Sequence, residues 1–372
     1  MKIVYVAMNG IFPHYTSGPA IADYAMIKGL YELNYEIFIF TKKPTTNSCN
    51  NINNYLGDIV ITYVEHDKPI TYLPFLKKFI KYLPECDIVY FSSPPTGIIS
   101  LLSLILSKIF RKKTVYYLMG SLLNVNKNSR SAKILKYLLK FNLLDKILIP
   151  LHCEDEFEKL YDKRGKVSVV PHGIVVDLYH NTGEEKLEGE VNILFSGNLI
   201  KIKGILDLIY AFNKLSNEFE NVHLYITGTG DLKDNIRKLI VKKNFRGKVH
   251  LLGFVPYERL KSLYEHADIF VLPSLEELMS IALLEAMVSE CAIVCSDVAA
   301  REVIEHGKNG LIFKAGDIEG LCDNLRELLS NRNKIKVYGK AARATIINKF
   351  DYKIVAQKLD RVLKTLISSE LK

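Results

Sequence analysis

Two glutamates stand eight positions apart in the most informative stretch of the chain. Glu277 lies in a loop after a short apolar strand predicted at 269–272, and Glu285 is the single charge in an apolar run at 281–288. A helix that is apolar on all sides is buried, and an ionised carboxylate inside it is costly unless it is paired. We therefore predict a partner for Glu285, either Arg301 or a bound ligand.

Glu277 precedes the predicted start of that helix. Free backbone N–H groups and the helix dipole make a helix start a ready anion site. Two carboxylates beside such a site would repel a bare phosphate, but they suit a ligand that joins phosphates to sugar hydroxyls. A nucleotide-sugar has this composition.

Other candidate ligand-binding residues follow predicted strands. Gly18 precedes a helical pattern, and a glycine there either lets the backbone approach a phosphate or simply makes a turn. Lys203, in the loop that begins Gly197-Asn198, could meet a diphosphate as a point charge, or it is solvated. Gly228 gives a weaker signal of the same kind, and the sequence contains no GxGxxG motif.

Histidines and cysteines give no site by spacing. His14, His152 and His172 are candidate acids or bases by residue type, although a lone histidine is more often a structural hydrogen-bonding group. The six cysteines form no CxxC motif and no Cys/His cluster. This pattern predicts reduced thiols and argues against a zinc site.

The front of the chain is basic. Residues 1–170 contain 22 Lys and Arg against 14 Asp and Glu, whereas residues 171–372 contain 28 against 27. Arg130, Lys133, Lys136 and Lys140 lie among apolar residues, so this segment is either a helix on an anionic membrane or a surface helix packed on its own sheet. The chain has no Trp to anchor it in a membrane interface. With no nucleic-acid motif, we rank a membrane surface or an anionic acceptor first.

Composition predicts an ordinary globular protein, with 372 residues, 48% hydrophobic and 24% charged. This length favours two domains. No signal peptide is recognisable, and the longest apolar run, 98–106, is interrupted by serines and falls short of a membrane span. We expect a cytoplasmic protein, either free or peripheral on the inner face of the membrane.

Strand-like and helix-like runs alternate along the chain, which predicts parallel sheets covered on both faces. The predicted strands are 3–6, 36–40, 59–64, 88–91, 114–118, 146–150, 167–170, 192–195, 222–226, 249–252, 269–272, 292–295 and 311–313. The predicted helices are 20–33, 74–83, 97–110, 130–142, 153–161, 204–216, 232–242, 257–266, 281–289 and 318–329. Residues 171–190 read as a linker between two doubly wound α/β domains, 1–170 and 191–350, facing a central ligand cleft.

With these motifs assembled, the chain resembles the family-4 glycosyltransferases, retaining nucleotide-sugar enzymes of GT-B architecture with two Rossmann-like domains. The resemblance rests on six ordered motifs and on the Glu277-x7-Glu285 spacing, which is the signature of that family. The motifs are SGPAIADYAMIKGLYELNYEIFIFT, VVPHGIVVDLY, ILFSGNLIKIKG, LYITGTGDL, LLGFVPYERLKSLYEHADIFVLPSLEELMSIALLEAM and AREVIEHGKNGLIFKAGD.

The resemblance implies roles for the residues that match. Glu285 would hold the ribose hydroxyls and Glu277 the donor sugar near the reacting carbon. The diphosphate would be bound by Lys203, by Gly18 from the opposite domain, and by the backbone N–H groups of Leu278, Met279, Ser280 and Ile281. The N-terminal domain would bind the acceptor, and a C-terminal helix, 351–372, would return to pack on it. Such enzymes need no metal and no other cofactor.

Three positions depart from the family pattern. Asn198 stands where many members have Arg, and Met119-Gly120 where many have His-Gly. Leu278-Met279-Ser280 replaces the common Gly-aromatic-Gly. We predict a retaining hexosyltransferase of polysaccharide biosynthesis that uses a nucleotide-diphosphate sugar and a lipid-linked or cell-surface glycan, and binds no nucleic acid. The alternatives are a GT-B sugar-nucleotide 2-epimerase and a non-catalytic nucleotide-binding scaffold.

Overall fold

A computed structural model describes residues 1–8, 10–11, 17–43, 59–64, 72–92, 97–118, 130–151, 157, 165–179, 187–245 and 247–368. The chain divides into two compact units. Unit 1 consists of residues 1–173 and 352–372, and unit 2 of residues 174–351. Each unit is built around one parallel sheet.

Unit 1 has seven parallel strands in the order β3-β2-β1-β4-β5-β6-β7. The strands are β1 (Lys2–Ala7), β2 (Glu36–Lys42), β3 (Val60–Val64), β4 (Ile88–Phe91), β5 (Lys113–Tyr117), β6 (Lys146–Ile149) and β7 (Val167–Val169). Its helices are α1 (Gly18–Glu32), α2 (Tyr72–Tyr82), α3 (Ile98–Ile109), α4 (Arg130–Lys140) and, at the end of the chain, α12 (Tyr352–Ser368).

Helix α1 is apolar nearly all round and is buried along most of its length. It packs on α12 through Gly29, where an added Cβ would lie 2.4 Å from the Cβ of Ala356. The hydroxyl of Tyr352 donates to Glu32 (2.7 Å) at the same contact. The missing side chain at position 29 therefore allows the last helix of the chain to lie directly against the first.

Unit 2 has six parallel strands in the order β10-β9-β8-β11-β12-β13. The strands are β8 (Val191–Ser196), β9 (Val222–Thr227), β10 (Val249–Gly253), β11 (Ile269–Leu272), β12 (Ala292–Ser296) and β13 (Leu311–Phe313). Its helices are α5 (Ile205–Leu215), α6 (Lys233–Lys243), α7 (Tyr257–His266), α8 (Ile281–Val288), α9 (Asp297–Ala300), α10 (Ile318–Ser330) and α11 (Arg332–Thr345), and a π-helical turn (Ile346–Phe350) follows.

The α/β prediction is confirmed, and all thirteen predicted strands are present with ends within two residues of those expected. Parallel strands covered on both faces are continuous apolar runs, as in β8 and β11, so their positions can be predicted from the sequence. Helices α9 and α11 and the π-helical turn were not predicted. The helix predicted at 153–161 lies outside the described residues, apart from Phe157.

The strand order reverses once in each sheet, between β1 and β4 in unit 1 and between β8 and β11 in unit 2. At such a reversal the connections leave toward opposite faces of the sheet and open a crevice at the carboxyl ends of the two strands, where ligands of open α/β sheets bind. The residues that follow these four strands are therefore the ones best placed for chemistry.

Candidate functional site

The loops that follow β8 and β11 bring a cation and a carboxylate together. Lys203 ends a 3-10 turn (Lys201–Lys203), and its Nζ lies 2.6 Å from Oε2 of Glu277. The hydroxyl of Ser274 donates to the same oxygen at 3.3 Å, and the Ser274 carbonyl accepts from the hydroxyl of Ser296 at 2.6 Å. The lysine and glutamate side chains are only 20% and 11% exposed. Two residues predicted separately thus form one partly buried pair.

Backbone contacts fix these two loops against each other. The amide of Leu275 donates to the carbonyl of Ile202 at 2.7 Å. Gly204 adopts a left-handed conformation, with φ of 65°, and an added Cβ there would lie 1.8 Å from the carbonyl oxygen of Pro273. Only glycine combines this backbone conformation with so close an approach.

The predicted glycines at positions 197 and 228 also lie at strand ends in unit 2. An added Cβ at Gly228 would lie 1.9 Å from the carbonyl oxygen of Gly197, and φ of Gly228 is 119°. Backbone packing between the two loops thus explains Gly228 without a ligand. Asn198 is exposed beside them, and Gly18 belongs to unit 1 as the first residue of α1.

Helix α8 begins directly after the Glu277 loop. Its N-cap is Ser280, whose hydroxyl accepts from the amide of Leu283 at 3.4 Å. The first N–H groups of a helix have no intrahelical partner, and the dipole makes this end favourable for anions. The side chains of Leu278, Met279, Ser280 and Ile281 are all buried. A ligand would therefore contact the backbone of this segment.

Glu285 lies inside α8 and is 4% exposed. Its Oε1 accepts from the hydroxyl of Tyr179 at 2.8 Å, and its Oε2 from the hydroxyl of Tyr264 at 3.3 Å. Tyr179 also shares a hydrogen bond of 2.6 Å with the hydroxyl of Tyr257. Burial raises the pKa of Glu285 to about 7, although the two tyrosine hydrogen bonds act in the opposite direction.

Arg301 is not the internal partner of Glu285, so that expectation was wrong. The Nε of Arg301 donates instead to the carbonyl of Val298 at 3.3 Å. Neutral hydroxyl donors satisfy a buried carboxyl group without burying a second charge, which would add its own desolvation penalty. Tyr179 and Tyr264 lie far from Glu285 in sequence, so no local spacing could identify them.

A second buried carboxyl group, Asp23, was missed. It lies in α1 at the strand reversal of unit 1 and is fully buried. The hydroxyl of Tyr5, in β1, donates to Oδ1 at 2.7 Å, and the hydroxyl of Ser92, directly after β4, donates to Oδ2 at 2.8 Å. Burial raises its pKa to about 7. The signal was available, because Asp23 is an acidic residue in an apolar helix, as Glu285 is.

Of the three candidate histidines, His172 is the one that the described residues include. His172 is buried, and its Nδ1 lies 2.9 Å from the hydroxyl of Tyr117. Burial lowers its pKa to about 4, so it is neutral at pH 7 and serves as a structural hydrogen-bonding group. His14, His152, Met119 and Gly120 lie outside the described residues.

The basic segment forms α4, which packs on its own unit through three buried leucines, Leu135, Leu138 and Leu139. Lys133, Lys136 and Lys140 are exposed, and Tyr137 and Phe141 are exposed among them. Arg130 is the first residue of the helix, and its side chain lies outside the described set. Helix α4 thus presents lysines and aromatic rings on one outer face.

Helix α3 continues this surface. Right-handed crossovers place α2, α3 and α4 on the same face of the sheet. Four aliphatic side chains at helical spacing on α3 are exposed, namely Ile98, Leu102, Ile105 and Ile109. We call these four residues, with Lys133, Lys136, Tyr137, Lys140 and Phe141, the apolar-basic face. Among the described residues, no helix is both long and apolar enough to cross a membrane.

A cavity of about 500 Å³ lies at the other end of the unit 2 strands. Ala267, Asp268, Ser289 and Glu290 line it immediately before β11 and β12, and Lys336, Lys340 and Arg343 of α11 complete it. Ligands of doubly wound sheets bind at the carboxyl ends of strands, and this cavity is at the amino ends. We therefore place the candidate site at Lys203 and Glu277.

The sequence of this region has known relatives. Residues 181–345 match the family of glycosyl transferases, group 1. Over 251 residues the chain is 29% identical to an uncharacterized glycosyltransferase of Methanocaldococcus jannaschii, covering 64% of each protein. Over 208 residues it is 29% identical to the amylovoran biosynthesis glycosyltransferase AmsK of Erwinia amylovora, covering 54% of this chain and 51% of AmsK. The matched part thus spans between half and two thirds of these glycosyltransferases.

The fold extends the likeness along nearly the whole chain. HepE of Anabaena, in complex with UDP and glucose, has a TM-score of 0.78 and 17% sequence identity, covering 98% of this chain and 100% of HepE. At this identity the likeness shows the fold alone, and it confirms the predicted pair of Rossmann-like domains. The chain thus combines a glycosyl transferases group 1 match over residues 181–345 with a GT-B fold along nearly its whole length.

The buried Asp23 carboxyl group predicts a pH-dependent stability of unit 1. Between pH about 4 and about 7 the folded unit holds a proton that the unfolded chain releases, so the contribution of Asp23 to the free energy of unfolding falls as pH rises through this window. Asp23→Asn removes this titration. The free energy of unfolding of Asp23→Asn minus that of the wild type should therefore rise from pH 4.5 to pH 7, by at most roughly 1.4 kcal/mol per pH unit.

Urea unfolding at several pH values measures this difference. Glu85→Gln, at an exposed position of the same unit, is the matched control and should follow the wild-type profile. Parallel profiles for Asp23→Asn and the wild type would contradict the prediction.

Proposed function

We propose that the protein is a retaining glycosyltransferase that moves a sugar from a nucleotide-diphosphate sugar to a hydroxyl acceptor. The observation that carries this proposal is the Lys203–Glu277 pair at the strand reversal of unit 2, beside the start of α8. A cation and a helix start suit a diphosphate, and a carboxylate next to them suits the sugar.

The reaction breaks the bond between the anomeric carbon and the diphosphate oxygen, and the diphosphate leaves with the electron pair. Lys203 and the first N–H groups of α8 stabilise the negative charge that develops on the leaving group. Glu277 stabilises the positive charge on the sugar ring. The acceptor oxygen bonds to the anomeric carbon on the face that the diphosphate leaves, and the hydroxyl proton passes to the departing diphosphate oxygen. Attack on this face retains the configuration.

We assign Glu285 to the ribose of the donor. Each of its oxygens accepts one tyrosine hydrogen bond and has further acceptor capacity for a ribose hydroxyl. The tyrosines fix the direction of the carboxyl group. HepE in complex with UDP and glucose supports a nucleotide-sugar donor, and UDP is therefore the first nucleotide to test, followed by GDP and ADP.

The acceptor we propose is a lipid-linked or cell-surface glycan. AmsK, a glycosyltransferase of amylovoran biosynthesis, supports a glycan. The apolar-basic face supports a lipid-linked one at the inner face of a membrane, because exposed aliphatic and aromatic side chains enter the interface while lysines attract anionic headgroups. The acceptor domain in this proposal is unit 1, which contains that face.

The first test concerns nucleotide binding. Lys203→Ala should weaken the binding of the nucleoside diphosphate by roughly 10- to 150-fold, because a charge-assisted hydrogen bond is worth about 1.5 to 3 kcal/mol. Binding of the matching nucleoside, which has no phosphate, should change little. Isothermal titration calorimetry measures both affinities. Lys201→Ala, an exposed lysine of the same turn, is the control and should bind like the wild type. Equal losses of affinity for the nucleotide and the nucleoside would show that Lys203 does not bind the phosphates.

The second test separates binding from chemistry. Glu277→Gln should lower kcat by roughly 10- to 1000-fold with little change in nucleotide affinity, because its charge acts in the transition state. Glu285→Gln should chiefly raise the KM for the donor, by roughly 10-fold or more. Glu276→Gln, at the exposed neighbouring glutamate, is the matched control.

Steady-state kinetics and NMR of the product give the readout for these variants. The product should keep the anomeric configuration of the donor, and an inverted product would rule out retention. A wild-type protein that binds the nucleotide but transfers no sugar would be the non-catalytic scaffold. Normal turnover by Glu277→Gln would remove this residue from the reaction.

The third test concerns the membrane. Neutralising Arg130, Lys133, Lys136 and Lys140 should abolish co-sedimentation with anionic vesicles at low salt, because each cation near an anionic surface contributes about 1 kcal/mol. Neutralising four exposed cations of α6 in unit 2, Arg237, Lys238, Lys242 and Lys243, makes the same charge change and should leave binding intact. Equal losses of vesicle co-sedimentation in the two variants would indicate a non-specific charge effect. A wild-type protein that does not co-sediment with anionic vesicles would contradict membrane binding.

A further inference from the structure

Two histidines and a glutamate converge near the amino ends of the unit 2 strands. His223 lies in β9 and His250 in the neighbouring β10, where the register pairs His250 with Tyr225. Because side chains alternate along a strand, His223, Tyr225 and His250 lie on the same face of the sheet. Nδ1 of His223 is 2.9 Å from Nε2 of His250, and Oε2 of Glu188 is 3.9 Å from each of these nitrogens.

One tyrosine holds this cluster together. The ring of Tyr225 stacks on His250 with centroids 4.4 Å apart and planes within 10°. The hydroxyl of Tyr225 accepts from the backbone amide of Glu188 at 2.7 Å. The imidazoles are largely buried, whereas the Glu188 side chain is 67% exposed and opens the cluster to water.

Two imidazole nitrogens and a carboxylate oxygen are a donor set for borderline divalent cations, Zn²⁺ above all. Tetrahedral zinc with Zn–N distances of about 2.0 to 2.1 Å places its ligand atoms about 3.3 Å from one another. The observed separations of 2.9 and 3.9 Å lie on either side of this value. Shifts of less than about 1 Å in the three side chains would therefore bring their ligand atoms to the spacing of a tetrahedral zinc site. Burial also lowers the pKa of both histidines, and the neutral imidazole is the metal-binding form.

We propose that His223 Nδ1, His250 Nε2 and the Glu188 carboxylate bind one Zn²⁺ ion, with water as the fourth ligand. The ion would link three parts of unit 2, namely the segment that precedes β8, strand β9 and the edge strand β10. This site is at the opposite end of the strands from Lys203 and Glu277. Its role is structural, and it is independent of the glycosyl transfer proposed above.

Titration of the metal-free full-length protein with Zn²⁺, followed by calorimetry, tests the site. The wild type should bind one equivalent, and His223→Ala and His250→Ala should each weaken binding by roughly 100-fold or more, because even the loss of a residue that supports a ligand costs 10- to 100-fold. Glu188→Gln should weaken it by roughly 10-fold. His266→Ala, an exposed histidine of the same unit, is the matched control and should bind like the wild type.

Co²⁺ substitution identifies the ligand types from the absorption spectrum of the wild type, and a variant that keeps its fold tests His223. The wild type should show the visible bands of four-coordinate Co²⁺ with nitrogen and oxygen ligands, and His223→Gln, whose amide can replace the imidazole hydrogen bond, should lose them while keeping its circular dichroism spectrum. A thiolate charge-transfer band would place the metal on cysteine and overturn the site. Failure of the wild type to bind micromolar Zn²⁺, or unchanged binding by His223→Ala and His250→Ala, would also overturn it.

Discussion

The hydrogen bond from the Leu275 amide to the Ile202 carbonyl joins the loops after β8 and β11, and the candidate donor site depends on this junction. The strand order reverses between these two strands, so the connections leave toward opposite faces of the sheet. The close approach of Gly204 to Pro273 fixes the loops a second time. The position of Lys203 beside Glu277 is thus set by backbone contacts, which is the kind of preorganisation that binding and catalysis require.

Both units bury a carboxyl group in an apolar helix next to a strand reversal, and both satisfy it with hydroxyl groups. Asp23 accepts from a tyrosine and a serine, and Glu285 accepts from two tyrosines. A buried cation would bring its own desolvation penalty, whereas neutral donors do not. The consequence is a pKa of about 7 for each carboxyl group, so the charge at both sites changes near neutral pH.

The sequence was most predictive where the physical signal is local. Strands of a doubly covered parallel sheet are apolar runs, so the strands could be located in the sequence. Candidate ligand residues follow strand ends, so Lys203 and Glu277 could be named as candidates. Helix α11 was missed because its buried residues, such as Ile335 and Ala342, are spaced among many basic ones. The tyrosine partners of Glu285 and the His223–His250–Glu188 cluster were not predictable, because each joins segments that only the folded sheet brings together.

The Lys203–Glu277 pair also suggests how donor binding and chemistry are linked in the proposed function. Without a donor, the ammonium group neutralises the carboxylate at 2.6 Å. Asn198 has no charge, so Lys203 and the start of α8 must compensate the incoming diphosphate. When the ammonium turns to the phosphates, Glu277 loses part of its counter-charge and its carboxylate becomes available to the sugar. Binding of the diphosphate would thus make the carboxylate of Glu277 available at the moment when the donor brings its sugar to this residue.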